Sequence, residues 1–171
     1  MNAPLDGPRR RGWRAVLIGF ALIALLGLGI SAAMFSSWSR LEAASPEDAA
    51  AAFAAARVEA GGGEPYLAIS DSGDVRVRRE LERQEPVELE ALHLLAWDPG
   101  RSRMLRVRFP FWFVEVKMNE ALNLGTLVSA LAGDWEHLDL RVAEEDLRRR
   151  GPGIVLDHAL PSAARILIWT E

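Results

Sequence analysis

An uncharged stretch from Ala15 to Ser39 constrains this chain more than any other feature of its sequence. It has no charged side chain over a length that can cross a bilayer. A membrane-spanning helix needs about 20 mostly apolar residues, and its backbone N–H and C=O groups must be satisfied within the segment itself. The stretch meets both requirements. We therefore predict a basic N-terminal tail over residues 1–14 and a transmembrane helix over residues 15–39.

The charges on either side of the predicted span indicate its orientation. Several arginines precede it closely, whereas the first charged residues after it are mostly acidic, so the positive-inside rule places the N-terminus in the cytoplasm. A tryptophan stands near each end, where an indole suits the headgroup region. The predicted partner of this segment is the lipid bilayer, and the predicted location of the C-terminal domain is outside the plasma membrane. The predicted membrane-interface anchors are Trp13, Trp38, Arg9, Arg10, Arg11 and Arg14.

Cleavage of the same stretch as a signal peptide is the alternative. Ser31, Ala32 and Ala33 are small enough for a cleavage site. The apolar run nevertheless continues through Met34 and Phe35 without a helix-breaking region, which favours an uncleaved anchor.

Length and composition exclude several classes of protein. Beyond the span, about 130 of the 171 residues remain, which suits one modest domain. The absence of cysteine excludes disulfides, thiolate metal sites and thiol nucleophiles. The net charge is −4, and because the tail holds four arginines the outer part is more acidic still, which disfavours nucleic acid as a partner. We predict no cofactor.

The segment over residues 40–63 has the signals of a helix and little to bury. Ser45 suits the N-cap and Pro46 the first helical position, and an alanine-rich body follows until three glycines from Gly61 to Gly63 end it. We interpret it as a spacer or lightly docked helix with a flexible glycine joint, which leaves residues 64–171 as the folded domain.

Alternating apolar residues and turn signals predict three β-hairpins in that domain. The firmest has Asp98-Pro99-Gly100-Arg101 at its turn, where Pro followed by Gly suits a type II turn. Its first arm is apolar on both faces apart from His93, which is typical of a central strand. The predicted pairs of strands are Tyr66–Ser70 with Val75–Arg79, Glu88–Trp97 with Arg103–Phe109, and Ile154–Asp157 with Ala164–Thr170.

Four other segments complete the prediction. Pro110 cannot donate a backbone hydrogen bond and therefore interrupts the hydrogen-bonded ladder between strands. Phe111–Lys117 is thus either a separate strand or the same strand beyond a bulge. The pattern predicts a helix over Asn119–Ala132, a strand over Leu138–Val142 and a helical turn over Ala143–Arg150. The predicted fold class is α+β: one N-terminal transmembrane helix followed by a small domain with a mainly antiparallel sheet and a few short helices.

Aromatic and basic residues offer one candidate binding surface. Aromatic side chains cluster from Phe109 to Phe113, and an exposed aromatic can dock on a partner or dip into lipid. The alternative is that Phe109, Phe111 and Phe113 are core residues and that the arginines pair with nearby glutamates. The candidate surface comprises Arg76, Arg78, Arg106, Arg108 and Trp112.

No catalytic motif is present, and we predict no catalytic or metal-binding residue. His93, His137 and His158 lack the spacing of a metal site, and Asp157-His158 is not accompanied by a nucleophile motif. Glu115 is unusual as an acid in an aromatic segment, and the ordinary interpretation is that it points to solvent or pairs with an arginine on the neighbouring strand. We therefore expect a membrane-anchored binding or accessory domain whose partner is another membrane or envelope protein. The alternative is a membrane-anchored extracytoplasmic hydrolase that uses an unrecognised acid and histidine in a cleft, with Asp157, His158, Glu115 and His93 as the candidates.

Overall fold

The computed structural model describes residues 37–70, 74–117, 122–123, 141–160 and 162–171. The chain divides into two units, Met1–Trp38 and Ser39–Glu171, and almost all of the first lies outside the described residues. The predicted transmembrane helix lies there too, apart from its last three residues, of which Ser39 is the first residue of a strand. Within the described ranges, no helix is long and apolar enough to span a bilayer.

The second unit is an α+β domain, as the sequence predicts. Its strands are β1 Ser39–Ala43, β2 Leu67–Ile69, β3 Val75–Val77, β4 Ala91–Asp98, β5 Arg103–Pro110, β6 Leu122–Asn123, β7 Arg141–Val142, β8 Gly153–Ala159 and β9 Arg165–Thr170. Its helices are α1 Pro46–Glu59, α2 Phe111–Lys117 and α3 Glu144–Arg150, with a 3₁₀ turn over Arg79–Leu81. Seven strands form one sheet in the order β1-β5-β4-β9-β8-β2-β3, and β6 pairs with β7 separately. Every described pairing is antiparallel except β2 with β8.

All three predicted hairpins are confirmed. β2 pairs with β3, β4 with β5 and β8 with β9, although residues 71–73 of the first turn lie outside the described residues. The prediction of a type II turn between β4 and β5 is wrong. That turn needs a positive φ at Gly100, but the positive φ of 48° falls at Ser102, and the Asp98 side chain accepts a hydrogen bond from the Arg101 N–H.

Strand β4 is central, as its apolar residues predict. It lies between β5 and β9, and its residues from Ala91 to Ala96 are buried on both faces of the sheet. Burial of such a strand on both sides requires a layer on each face. One of those layers is helix α1, which packs against the face that carries Leu95, Leu167 and Trp169.

Helix α1 corrects the interpretation of residues 40–63 as a spacer. Ser45 and Asp48 form a reciprocal capping box, as the N-cap prediction requires. Phe53, only 1% exposed, enters the core together with Ala56 and Ala60. The physical reason is that small alanines let the helix backbone approach the sheet closely, so one large side chain suffices to fill the space. The domain therefore begins at Ser39, with β1 paired to β5.

Residues Phe111–Lys117 form helix α2, so the prediction of a strand there is wrong. Phe111 and Val114 are buried three residues apart, whereas Trp112 and Val116 are exposed, which is the spacing of a helix. The Phe111 N–H donates to the Glu90 carbonyl oxygen at 2.8 Å and thereby anchors the start of the helix. Aromatic and β-branched composition favours strands, but here packing against the sheet decides the conformation.

The segments that follow are described only in part. Leu122 and Asn123 form β6, which contradicts a helix at those two positions, and the rest of Asn119–Ala132 lies outside the described residues. The predicted strand over Leu138–Val142 is confirmed at Arg141 and Val142, where β7 lies. Helix α3 confirms the predicted helical turn, and Gly151, with φ 73°, is its C-terminal capping residue.

Candidate functional site

A charged cluster lies on the face of the sheet that helix α1 covers. We define it by its five members, Glu59, His93, Arg106, Arg108 and Glu171. Helix α1 contributes its last residue, β4 and β5 contribute the histidine and the arginines, and Glu171 follows β9. The register of strand β4 with its two neighbours brings His93 close to other members of the cluster. His93 lies opposite Arg108 on β5 and opposite Trp169 on β9, the strand that Glu171 follows.

Glu171 links the members of the charged cluster. Its Oε2 lies 3.0 Å from Nε2 of His93, and its Oε1 accepts a hydrogen bond from Nη2 of Arg108. Arg106 Nη1 lies 3.9 Å from Glu59 Oε2, a looser ion pair. The His93 ring stacks on Trp169 with centroids 4.7 Å apart, so the imidazole is held against the apolar core.

Burial sets the protonation states of this cluster. His93 is 6% exposed, and desolvation lowers its pKa although the neighbouring Glu171 acts in the opposite direction. The hydrogen bond from Arg108 lowers the pKa of the Glu171 carboxyl. Near neutral pH the carboxylate is thus charged and the imidazole neutral, so we assign the proton between them to His93 Nε2.

The charged cluster includes three groups that could hold a divalent metal ion. Glu59, His93 and Glu171 each offer one ligand atom, and these atoms all lie within 4.8 Å of one another. Imidazole and carboxylates are suitable ligands for zinc and related ions. Arg108 and Arg106, however, neutralise both carboxylates and would repel a cation. The arrangement therefore favours a structural ion-pair network over a metal centre.

The arginines of the predicted binding surface lie in two separate places. Arg76 and Arg78 lie on or just after β3, whereas Arg106 and Arg108 lie on β5, and four strands separate β3 from β5. At about 4.8 Å per strand, that separation is on the order of 24 Å. Three of the four arginines pair with glutamates: Arg78 with Glu64, Arg106 with Glu59 and Arg108 with Glu171.

Trp112 is the exposed apolar member of the predicted surface. It is 51% exposed on α2, and Val116, one turn later, is 71% exposed. Phe113 is half-buried and meets the indole edge-on, with ring centroids 6.0 Å apart. Phe109 and Phe111 are buried, so most of the aromatic cluster is core and one apolar helix face remains open to contact.

The groups considered for a hydrolase lie on three elements: Asp157 and His158 on strand β8, Glu115 on helix α2 and His93 on strand β4. Asp157 on β8 is paired with Arg57 and Arg165, and Glu115 on α2 is hydrogen-bonded to Arg148 on α3. His158 follows Asp157 on the same strand and so points to the opposite face, where burial lowers its pKa. His137 lies outside the described residues.

The predicted membrane anchors are described at one position only. Trp38 is half-buried, while Trp13, Arg9, Arg10, Arg11 and Arg14 lie outside the described residues. Their role stays a prediction.

Two members of the charged cluster were missed by sequence reasoning, namely Glu59 and Glu171. Neither stands in a motif, and each is far in sequence from His93. Their meeting depends on the packing angle of α1 and on the β4–β9 register, and no local signal specifies either of these. Alternation of apolar residues gives the faces of a strand but not its partner.

Comparison with known proteins finds no relative of this chain. No protein-family model matches the sequence, and no curated protein does. No solved structure matches the fold either.

Proposed function

We propose that this protein is a single-pass membrane protein that presents a small binding or accessory domain outside the plasma membrane. The observation that carries the proposal is the junction at Ser39, where the uncharged stretch ends and strand β1 begins. No linker residues separate the proposed span from the first strand. A domain attached in this way works at the membrane surface, which suits contact with another membrane or envelope protein.

The charge pattern of the domain favours binding over catalysis. Glu115 and Asp157, the acids considered for a hydrolase, are each neutralised by arginines. A general acid or nucleophile needs an unengaged carboxyl close to its substrate. The hydrolase alternative would require these ion pairs to open first, and it is therefore the weaker proposal.

Reporter fusions to the C-terminus of the full chain test the topology. We expect an alkaline phosphatase fusion to be active, a green fluorescent protein fusion to be dark, and the chain to stay in the membrane after alkaline carbonate extraction. Replacement of Arg9, Arg10, Arg11 and Arg14 by glutamate should reduce or invert this orientation. Recovery of the unaltered chain in the soluble fraction, or a fluorescent C-terminal fusion, would overturn the proposal.

Photo-crosslinking tests the partner. A photoreactive residue at Trp112 should capture a membrane or envelope protein in intact cells, because that helix face is apolar and exposed. The matched control is the same photoreactive residue at Val58, which is an exposed position on a different helix, α1. Equal capture at both positions, or none at Trp112, would count against a protein partner on this face.

A further inference from the structure

Strand β1 is one edge of the seven-stranded sheet. It pairs with β5 on one side, and no strand within the described residues pairs with it on the other. Its residues from Arg40 to Ala43 are exposed, and Leu41 is 62% exposed although it is a large apolar side chain. An exposed edge strand that carries such a side chain is a template for pairing with another strand.

The backbone of β1 has hydrogen-bonding groups that point away from β5. The Ala44 N–H donates to the Ser102 carbonyl oxygen at 3.0 Å, in continuation of the β1–β5 register. Residues of an antiparallel strand direct their backbone groups alternately to one side and to the other. Ala44 and every second residue before it therefore bond toward β5, whereas Leu41, three residues before Ala44, directs its N–H and C=O groups to the open edge.

Two opposite charges flank Leu41 on the other face of the strand. Arg40 and Glu42 share that face because side chains alternate along a strand, and both are exposed. Neither forms an ion pair with any residue that the structure describes. Arg40 lies opposite Arg106, so its neighbour on β5 has the same charge. An acidic group on the open side of Arg40 would offset that repulsion.

The sequence of β1 is self-complementary in one antiparallel register. If Leu41 of one copy lies opposite Leu41 of a second copy, then Arg40 of each copy lies opposite Glu42 of the other. Leu41 is then a hydrogen-bonded pair on the two-fold axis, as the direction of its backbone groups requires. The charges fall on the flanking non-hydrogen-bonded pairs, where side chains are closest. A displacement by two residues in either direction would instead place Arg40 opposite Arg40 or Glu42 opposite Glu42.

We propose that two copies of this chain associate through antiparallel pairing of their β1 strands about Leu41. The pairing joins the seven-stranded sheets of the two copies into one continuous sheet. It supplies partners for the Leu41 backbone and for the charges of Arg40 and Glu42, and it covers part of the exposed Leu41 side chain. This association goes beyond the proposed function and does not rest on the membrane anchor.

The opposite edge of the sheet lacks this complementarity. Strand β3 has three residues, Val75–Val77, and the charged residue among them is Arg76. Antiparallel self-pairing about Arg76 would set two like charges opposite each other. The two edges of the sheet therefore differ, and association through β1 closes at two copies instead of continuing into a fibre.

Cysteine cross-linking of the full chain in detergent tests the pairing. A strand of five residues gives a small interface, so we expect a weak dimer that a disulfide can trap. The chain has no cysteine, so Leu41→Cys supplies its only thiol. Opposed residues of a hydrogen-bonded pair have Cα atoms about 5.5 Å apart, within the range that a disulfide spans. Covalent dimers should form about tenfold faster with Leu41→Cys than with the matched control Val58→Cys, an exposed position on α1.

Charge reversal in the Leu41→Cys background tests the register. Arg40→Glu and Glu42→Arg each set like charges opposite each other at both flanking pairs, so each should slow cross-linking by about tenfold. An equimolar mixture of the two variants should recover the rate, because two acids of one chain then lie opposite two arginines of the other. Glu88→Arg makes the same charge change as Glu42→Arg at an exposed residue outside β1 and should leave the rate unaltered. Reaction with a small maleimide checks that the thiols are equally reactive.

Four results would overturn the proposed association. The first is a cross-linking rate for Leu41→Cys no higher than that for Val58→Cys, and the second is a rate that the two charge reversals leave unchanged. The third is a mixture of Arg40→Glu and Glu42→Arg chains that does not recover the rate, since the reversals would then act on folding and not on pairing. The fourth is cross-linking of Leu41→Cys in isolated membranes to a different protein and not to itself, which would assign this edge to a foreign strand.

Discussion

Arg57 on helix α1 donates from Nε to Oδ2 of Asp157 on strand β8 at 2.6 Å, although 100 residues separate them in the chain. Nη2 of the same guanidinium reaches the same oxygen at 2.5 Å, and Arg165 approaches the other oxygen from β9. The carboxylate therefore joins the helix to two strands of the sheet. Because Asp157 is largely buried, these contacts are shielded from solvent more than a surface pair would be.

Removal of that carboxylate should destabilise the domain. We expect Asp157→Asn to lower the free energy of unfolding by about 1.5–3 kcal/mol, since it weakens charged hydrogen bonds and leaves two arginines without their partner. Urea unfolding measures the loss. Glu145→Gln, which weakens the exposed Arg149 pair, is the control and should cost less than about 0.5 kcal/mol. A double-mutant cycle between Arg57→Ala and Asp157→Ala that shows no coupling energy would contradict this account.

The buried face of helix α1 gives a second prediction. Phe53→Ala should lower the free energy of unfolding by about 3–5 kcal/mol, because it leaves a cavity against Leu95, Leu167 and Trp169. Val58→Ala, on the exposed face of the same helix, should change it by less than about 0.5 kcal/mol. Chemical unfolding of both variants provides the comparison. Similar values for the two would mean that the helix is a spacer after all.

Lowering the pH should reduce the free energy of unfolding of the domain, because His93 is buried in its neutral form. The pKa of His93 in the folded protein is held below its usual 6.5 by burial. As the pH falls below 6.5, the unfolded chain takes up a proton that the folded state resists, so stability is lost from there down to the folded pKa. The lowered pKa of Glu171, due first to Arg108, adds a loss of the same sign at lower pH.

Unfolding free energies measured between about pH 8 and pH 5 check the predicted loss of stability. His93→Gln should reduce the slope of the unfolding free energy against pH. His158, whose pKa is also lowered by burial, titrates in the same direction, so His158→Gln is measured beside it to separate the two contributions. Stability that rises on acidification through this range, or a slope unaltered in His93→Gln, would disprove the assignment.

Gly151 should tolerate substitution less well than Gly61. Both have positive φ, 73° and 76°, but the ψ of −168° at Gly151 is a combination that glycine almost alone adopts. A Cβ at Gly151 would also meet Arg83 and Val87, whereas one at Gly61 would meet nothing within 4 Å. We expect Gly61→Ala to cost about 1–2 kcal/mol and Gly151→Ala clearly more. Thermal unfolding midpoints of the two variants suffice, and the reverse order would refute the prediction.

The hairpins could be predicted from sequence because their information is local. Alternating residues such as Leu105, Val107 and Phe109 define a buried face, and Pro99 with Gly100 locates the turn. The turn type could not be predicted in the same way. It depends on how Asp98 caps the loop and on the left-handed conformation of Ser102, a residue type that seldom adopts it.

The remaining features depend on distant contacts. Helix α2 resembles a strand in composition, and only the packing of Phe111 and Val114 on the sheet makes it helical. Strand β1 is a short polar segment that forms because β5 offers it an edge. The charged cluster has the same origin, since Glu171 meets His93 only when β9 is in register with β4.

The place of β9 in the sheet has a consequence for the nascent chain. β9 lies between β4 and β8 although it follows both in sequence, so until residues 165–170 are synthesised no strand can join the three-stranded half β1-β5-β4 to the three-stranded half β8-β2-β3. One half ends at β4, which is apolar on both faces and would present an open hydrogen-bonding edge. We expect general chaperones to engage that edge during biogenesis, and the arrival of β9 to release them as it joins the two halves.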